Sequence, residues 1–439
     1  MFPPPPLHLS DDDTHGFSRY IKRRDWLMAR CDGPIVLMAP KLGPNQSHAW
    51  AHCYQPVYQD SYFLYLSGIN QTGIAMVLDP QTKQHHLFLP SHNPDAIFWN
   101  GDYFSHGDTS SHEFLTALGF NAIHCITSFK ATLNAIGSGR TWHLNMESTG
   151  KKLRQNESFF LKKSMAKTFK KSFKFKNISA LSWTQRLTHD DTAIDCITLA
   201  AQKTSAAFHA TIGRAYDSEV ALAGQLIGSL LTETPFGLAF SPIVAGNKNA
   251  AILHYTNNSA RLESSDLVLL DFGLRWKTMC TDISRTIPAG GRYTDLQRRL
   301  MGIVLDTQLE TIANVKPGIT FNELNAIAWN ALESHLDASF LSKGGRMKRP
   351  YTKQPHNIGH FLGIQVHDGD ANRTYKDQPI PDRSIITIEP GLYGEFEFNG
   401  DAIHCGIRIE DNLYVSQQGT TNLTASIPKD CDDIEAMYK

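Results

Sequence analysis

No stretch of this sequence is apolar for long enough to cross a bilayer. Its longest runs resemble Leu267-Val268-Leu269-Leu270, against the roughly 20 residues a spanning helix needs. Neither sign of charge dominates: 42 Lys and Arg stand against 43 Asp and Glu, a formal net charge of −1. Nothing therefore draws the chain as a whole toward nucleic acid or an acidic membrane. The opening Met1-Phe2-Pro3-Pro4-Pro5-Pro6 lacks the basic start and apolar core of a secretory leader. The seven cysteines are scattered and include no Cys-x-x-Cys pair, which argues against a disulfide framework or a zinc ribbon. With 41 % hydrophobic and 19 % charged residues the composition is that of a globular protein, not a disordered one. These absences lead us to expect a cytoplasmic protein with no membrane partner, and 439 residues suggest two or three domains.

What is present divides along the chain. Residues 17–30 carry a helical pattern, and strand-like stretches follow at 34–38, 73–78 and 86–89, the last two separated by the turn Asp79-Pro80-Gln81-Thr82. Strands interleaved with helices predict an α/β domain over 1–176. Residues 151–176 then hold nine lysines and one arginine against the single acid Glu157. The pattern reads as a solvated helix or linker face, and no nucleic acid is expected as a partner. Beyond it, 191–231 predict two long amphipathic helices, strands dominate to 287, two helices follow near 293–314 and 320–335, and the end is strand-rich. An α+β domain is expected over 177–439.

Acids sit at the ends of the apolar strands in this second part. Asp271 closes the run 267–270, and Asp282 lies in the next strand. A hairpin centred on Trp276-Lys277 makes the two face each other, with Cβ atoms about 4.5–5.5 Å apart. Glu389 and Glu410 are equidistant from Asn399-Gly400, a dipeptide favoured in type I′ turns, and Pro390-Gly391 should bend the strand just after Glu389. Four clustered carboxylates repel, and two divalent cations neutralise them. Between the pairs lies a segment with three histidines, His356, His360 and His367. His356 and His360 have the spacing of a zinc-protease helix, but Asn357 stands where that motif has its glutamate and Gly359 disfavours a helix. One histidine with four oxygen donors is a hard ligand set that favours manganese over structural zinc.

The ordered set 253–256 (Leu-His-Tyr-Thr), Asp271-Phe272-Gly273, 282–286 (Asp-Ile-Ser-Arg-Thr), His356-x3-His360-x6-His367, 388–393 (Ile-Glu-Pro-Gly-Leu-Tyr) and 406–411 (Gly-Ile-Arg-Ile-Glu-Asp) resembles the pita-bread metallopeptidases, and within them the aminopeptidase P family. Residues 59–68 are similar to a segment of that family's N-terminal domain. The resemblance implies an α/β N-terminal domain of the creatinase/aminopeptidase P type followed by an α+β pita-bread catalytic domain. It implies that Asp271, Asp282, His360, Glu389 and Glu410 bind two divalent metal ions, most simply Mn2+. It further implies that His254 and His367 flank the substrate carbonyl, with His356, Tyr393 and Arg408 at a proline pocket. Asn357 departs from the glycine usual after the first histidine. The activity implied is removal of the N-terminal residue from peptides with proline second, through a hydroxide shared by two metals. Glu389 is then the proton acceptor, His367 the oxyanion partner, and Arg408 the residue orienting a metal carboxylate.

Prolidase is the nearest alternative, but that family tends to carry a long insertion between its two glutamates, which here are close together. A non-catalytic pita-bread binding protein would lack metal ligands, and all five are present. Trp99 matches a tryptophan that in the family reaches a neighbouring subunit, so a homo-oligomer, dimer or tetramer, is implied.

Overall fold

The computed structural model describes residues 17–40, 59–100, 102–137, 139–146, 148–149, 152–153, 157–169, 174–352, 354–369 and 374–438. The chain divides after Arg186; the second compact unit takes Leu187–Asp368 and Thr374–Lys439.

In the first unit the short apolar stretches predicted as strands form the middle of a six-stranded mixed sheet. Its spatial order is Ala122–Cys125, Gln84–Leu89, Ala75–Asp79, Ile35–Met38, Thr141–Leu144 and Lys174–Asn177. Ile35–Met38 runs antiparallel to Ala75–Asp79 and parallel to Thr141–Leu144, and every residue of Ala75–Asp79 is buried, as an unbroken apolar run requires. Asp60 starts the helix Ser61–Ser67 by accepting from the Tyr62 and Phe63 amides, and Gly68 ends it at φ 70°. The described part of the lysine-rich window comprises the short strand Lys152–Leu153, the helix Glu157–Phe169 and most of the edge strand Lys174–Asn177. Lysines alternating along an open edge discourage pairing with another chain. Because this strand is paired into the sheet, the boundary expected at 176/177 falls too early, and the division comes after the helix Ser179–Arg186.

The second unit has the expected helix pairs, Asp191–Thr211 with Glu219–Glu233 and Asp295–Ala313 with Phe321–Ser339. Thr294 with Gln297, and Thr320 with Glu323, close capping boxes at the starts of the latter two. Among the described residues this unit also holds four small antiparallel sheets, three of three strands and one of two. Strand Leu267–Phe272 pairs with Ile283–Pro288 so that Asp271 faces Ser284. This corrects the expected direct pairing of Asp271 with Asp282: the turn lies at Lys277 and Thr278, since Arg275 pairs with Cys280 and Trp276 with Met279. Lys277 adopts φ 52° there, a left-handed position that its residue type does not announce. Asp282 is therefore diagonal to Asp271, on the same face of the hairpin. The C-terminal hairpin keeps the predicted register. Gly391 pairs with Arg408 and Phe398 with Asp401, Ile388 pairs with Asp411, and Asn399 and Gly400 turn at φ 53° and 91°.

Candidate metal centre

Two interrupted hairpins bring the acids together. The Glu410 amide donates to the Ser284 carbonyl at 3.0 Å, which ties the second hairpin to the first, and the Glu389 amide donates to Ile358 at 2.8 Å. The histidine segment is locked to the same strand: the Thr387 amide donates to the His360 carbonyl at 2.9 Å, and the His360 amide to Thr387 Oγ1 at 3.1 Å. Gly359 is needed here for close approach, because a Cβ would stand 2.0 Å from the Thr387 carbonyl oxygen. The segment is not helical, consistent with setting aside the zinc-protease pattern.

One atom from each of Asp271, Asp282 and Glu410 lies within 4.8 Å of the others, and the same holds for His360, Glu389 and Glu410 and for Asp282, His360 and His367. The five expected ligands therefore form one cluster, with His367 at its exposed side. The His360 Nδ1–H donates to the Phe361 carbonyl at 3.0 Å. This assigns the lone pair to Nε2, which stands 3.3 Å from Asp282 Oδ2 and 3.7 Å from Glu389 Oε1. A histidine whose far nitrogen is fixed by a carbonyl is oriented for a metal.

The electrostatics point the same way. Burial first, then the charge of Asp271, pushes the Asp282 carboxyl well above its usual range. Burial, then Asp282, Glu389 and Asp271, does the same to Glu410. Glu389 is pushed up to about 7 by burial, against the attraction of His360 and Arg408. Arg408 donates into this group, Nη2 to Asp271 Oδ2 at 2.7 Å and Nε to Ser284 Oγ at 2.7 Å, while Ser284 Oγ donates to Glu410 Oε2 at 2.8 Å. Among the described residues, Asp271 Oδ1 is buried without a hydrogen-bond partner. One guanidinium cannot compensate four clustered acids, and an orphaned buried carboxylate oxygen fits a divalent cation.

Next to the cluster runs a chain of hydrogen bonds. The His356 Nδ1–H donates to the Asn357 carbonyl at 2.8 Å, so its Nε2 accepts from the Tyr393 hydroxyl at 2.9 Å, and Tyr393 in turn accepts from Arg408 Nη1 at 3.2 Å. Burial and the neighbouring Arg408 lower His356 to about 4, so the ring is neutral at pH 7. Trp329 meets His356 edge-on at 5.6 Å, and Asn357 is held by Lys376 at 2.6 Å. His254 is exposed, in the turn after Asn247–Ala251, and makes no hydrogen bond to the cluster among the described residues. Sequence reasoning missed Ser284, which bridges Arg408 and Glu410. Its place two residues after Asp282, on the same strand face, was the available signal.

A cluster of buried acids and one oriented imidazole, built on antiparallel hairpins between helix pairs, defines a metal-dependent hydrolase. Residues 195–417 match metallopeptidase family M24, and residues 20–144 match the aminopeptidase P N-terminal domain. The chain belongs to metallopeptidase family M24, with an α/β N-terminal domain of the aminopeptidase P type preceding the pita-bread domain. It is 29 % identical over 385 residues to intermediate cleaving peptidase 55, mitochondrial, of Arabidopsis thaliana, covering 86 % of this chain and 74 % of the relative. It is 26 % identical over 455 residues to a protein named as a probable Xaa-Pro aminopeptidase, pepP, of Pyrenophora teres f. teres, covering 94 % of each. In fold it is similar to proline aminopeptidase P II from Yersinia pestis, with TM-score 0.81, 24 % identity and coverage of 96 % of this chain and 99 % of that one. Icp55 from Saccharomyces cerevisiae gives TM-score 0.79 at 22 % identity, covering 96 % and 98 %. Among the described residues no helix is long and apolar enough to cross a membrane.

Proposed function

We propose that this metallopeptidase removes the N-terminal residue from peptides whose second residue is proline. Asp271, Asp282, His360, Glu389 and Glu410 hold two divalent cations, for which Mn2+ suits the oxygen-rich donor set. When bound, the cations supply Lewis-acid activation of water and of the scissile carbonyl at neutral pH. The observation that carries the reading is the cluster of four carboxylates that share one guanidinium, Arg408, beside a His356 that accepts from Tyr393.

The residues divide the work. Glu389 accepts the proton of the attacking water and delivers it to the prolyl nitrogen. His367, at the exposed side of the cluster, and His254 flank the carbonyl whose charge grows in the transition state. The pyrrolidine ring lies against His356 and Tyr393. A proline amide has no N–H to donate, and a wall of imidazole and phenol faces recognises the ring without one. Arg408 holds Asp271 and Tyr393 in place. We also infer a homo-oligomer, with Trp99 at a subunit contact: it is 79 % exposed beside Phe98 on the helix Pro94–Asn100. A cytoplasmic location is inferred from the scattered cysteines, which include no Cys-x-x-Cys pair, and cell fractionation tests it.

Hydrolysis of an Xaa-Pro-Xaa tripeptide and an Xaa-Pro dipeptide, metal-stripped and with added Mn2+, tests the reading. Manganese-dependent release of the first residue from the tripeptide, with little dipeptide cleavage, is the expected result. Cleavage of the dipeptide alone makes the enzyme a prolidase, and failure on both by folded, metal-loaded protein overturns the peptidase reading.

A further inference from the structure

Glu219 is the first residue of the helix Glu219–Glu233 and is 0 % exposed. A buried carboxylate normally has a cationic partner, yet the groups that weigh most on this one are neutral. Four neutral donors take that place. Oε1 accepts from the Gly246 amide at 2.7 Å and from Asn249 Nδ2 at 2.9 Å. Oε2 accepts from the Tyr255 hydroxyl at 2.7 Å and from the Ala260 amide at 2.9 Å. Burial pushes its carboxyl up, but the bonds from Asn249, Gly246, Ala260 and Tyr255 outweigh this and hold it below the usual range. The start of its own helix favours the charge as well.

The four donors have one thing in common: all belong to 246–260. Gly246 and Ala260 are the two feet of that loop, and Asn249 and Tyr255 lie within it. The Glu219 amide also donates to the Ala260 carbonyl at 3.0 Å, so backbone and side chain grip the same foot. His254 immediately precedes Tyr255. Ala250, Tyr255 and, partly buried, Leu253 pack with Tyr393, the residue that links His356 to Arg408. Gly406 accommodates the loop, because a Cβ there would stand 2.1 Å from the Ala250 carbonyl oxygen. One carboxylate thus fixes where the loop rests on the floor of the site.

We propose that Glu219 is a positioning residue, which sets the 246–260 loop so that His254 stands at the substrate beside Tyr393. The proposal rests on the assignment of His254 to the substrate carbonyl. Its physical content is that a loop bearing a reacting-site imidazole must be stiff, since displacement by about 1 Å costs on the order of 100-fold in rate. Four donors converging on one buried anion supply that stiffness.

The test is a double-mutant cycle with amide hydrogen exchange. Glu219→Gln preserves the shape but turns one acceptor into an NH2 group, which then faces two donors. In the Mn2+-loaded enzyme it is expected to lower kcat on an Xaa-Pro-Xaa tripeptide by about 10- to 100-fold with little change in KM. In a His254→Ala background the same change should cost less than about 2-fold, because its effect passes through His254. Amides of 247–260 should exchange faster, and those in the middle of the helix Glu219–Glu233 should not. Tyr255→Phe deletes one donor while keeping the carboxylate, and should give a smaller loss with the same non-additivity; it serves if Glu219→Gln does not fold. Equal losses in both backgrounds, or unchanged exchange over 247–260, overturn the proposal. Should His254→Ala by itself cost nothing, the role given to His254 fails, and the exchange measurement alone then decides whether Glu219 holds the loop.

Discussion

Glu410 and Asp411 are adjacent in the chain and both are buried, yet their surroundings push them in opposite directions. Asp411 receives Arg285 Nη2 and Lys429 Nζ, each at 2.7 Å, with Thr424 Oγ1 and Asn422 Nδ2 each at 2.9 Å. Burial raises its carboxyl, but Arg285 and Lys429 more than offset this and hold it well below the usual range. Glu410 looks the other way along the strand, toward Asp282, Glu389 and Asp271, and is driven well above. Strand alternation places consecutive side chains on opposite faces, so one peptide unit separates a satisfied ion network from an unsatisfied one. Burial alone therefore does not identify a metal site; an excess of acids over the protein cations beside them does.

This contrast can be broken from either side. The largest effect is expected at the satisfied face. Asp411→Ala leaves Arg285 with its charge unpaired in the interior, and chemical denaturation should show a loss of about 3–5 kcal/mol. On the other face, Arg408→Ala removes the guanidinium that donates to Asp271 Oδ2 and Ser284 Oγ, and metal titration or kcat/KM should fall about 10- to 100-fold, in keeping with loss of a supporting contact to a ligand.

Glu410→Gln should act in the opposite sense to Asp411→Ala, by on the order of 1–2 kcal/mol at pH 8 in metal-stripped protein. It removes a repelling charge, so the variant should resist denaturant better than the wild type. The pH dependence follows from the same shift. Glu389 is raised from 4.5 to about 7 in the folded chain, so between these values the folded state binds more protons than the unfolded one. Metal-free stability contributed by this group is then present at low pH and lost as pH rises through about 7. Metal binding requires the ionised form, so the rise in Tm on adding Mn2+ should grow from pH 5 to pH 8. A gain that is flat with pH contradicts the assignment. The smallest effect belongs to Tyr393→Phe, which deletes one hydroxyl from the His356–Arg408 chain. It should weaken binding of Xaa-Pro peptides by about 0.5–1.5 kcal/mol, read as KM, while metal content is unchanged.

Local chemistry made part of this site legible. Asn399-Gly400 announces its turn, and the opposition of Glu389 and Glu410 follows by counting from it. The register of Asp271 and Asp282 did not follow in the same way, because Lys277 takes a left-handed conformation that only the surrounding hairpin enforces. The fixed tautomer of His360, the Tyr393 bridge and the grip of Glu219 on 246–260 join residues far apart in sequence, and no periodicity encodes such pairings. The lysine-rich window was legible as a charge pattern, but its strand, which pairs with Thr141–Leu144, belongs to the sheet and not to a linker. That tertiary pairing moved the division to Arg186.

The central claim is that the four acids clustered around the single Arg408 hold cations, and Asp411, matched by Arg285 and Lys429, does not. Equilibrium dialysis of metal-stripped protein against Mn2+ at pH 8, with metal counted per folded chain, tests it directly. About two ions are predicted in the wild type and in Asp411→Asn, and at most about one in Asp282→Asn. Fewer than two in the wild type, or two retained in Asp282→Asn, would contradict the account.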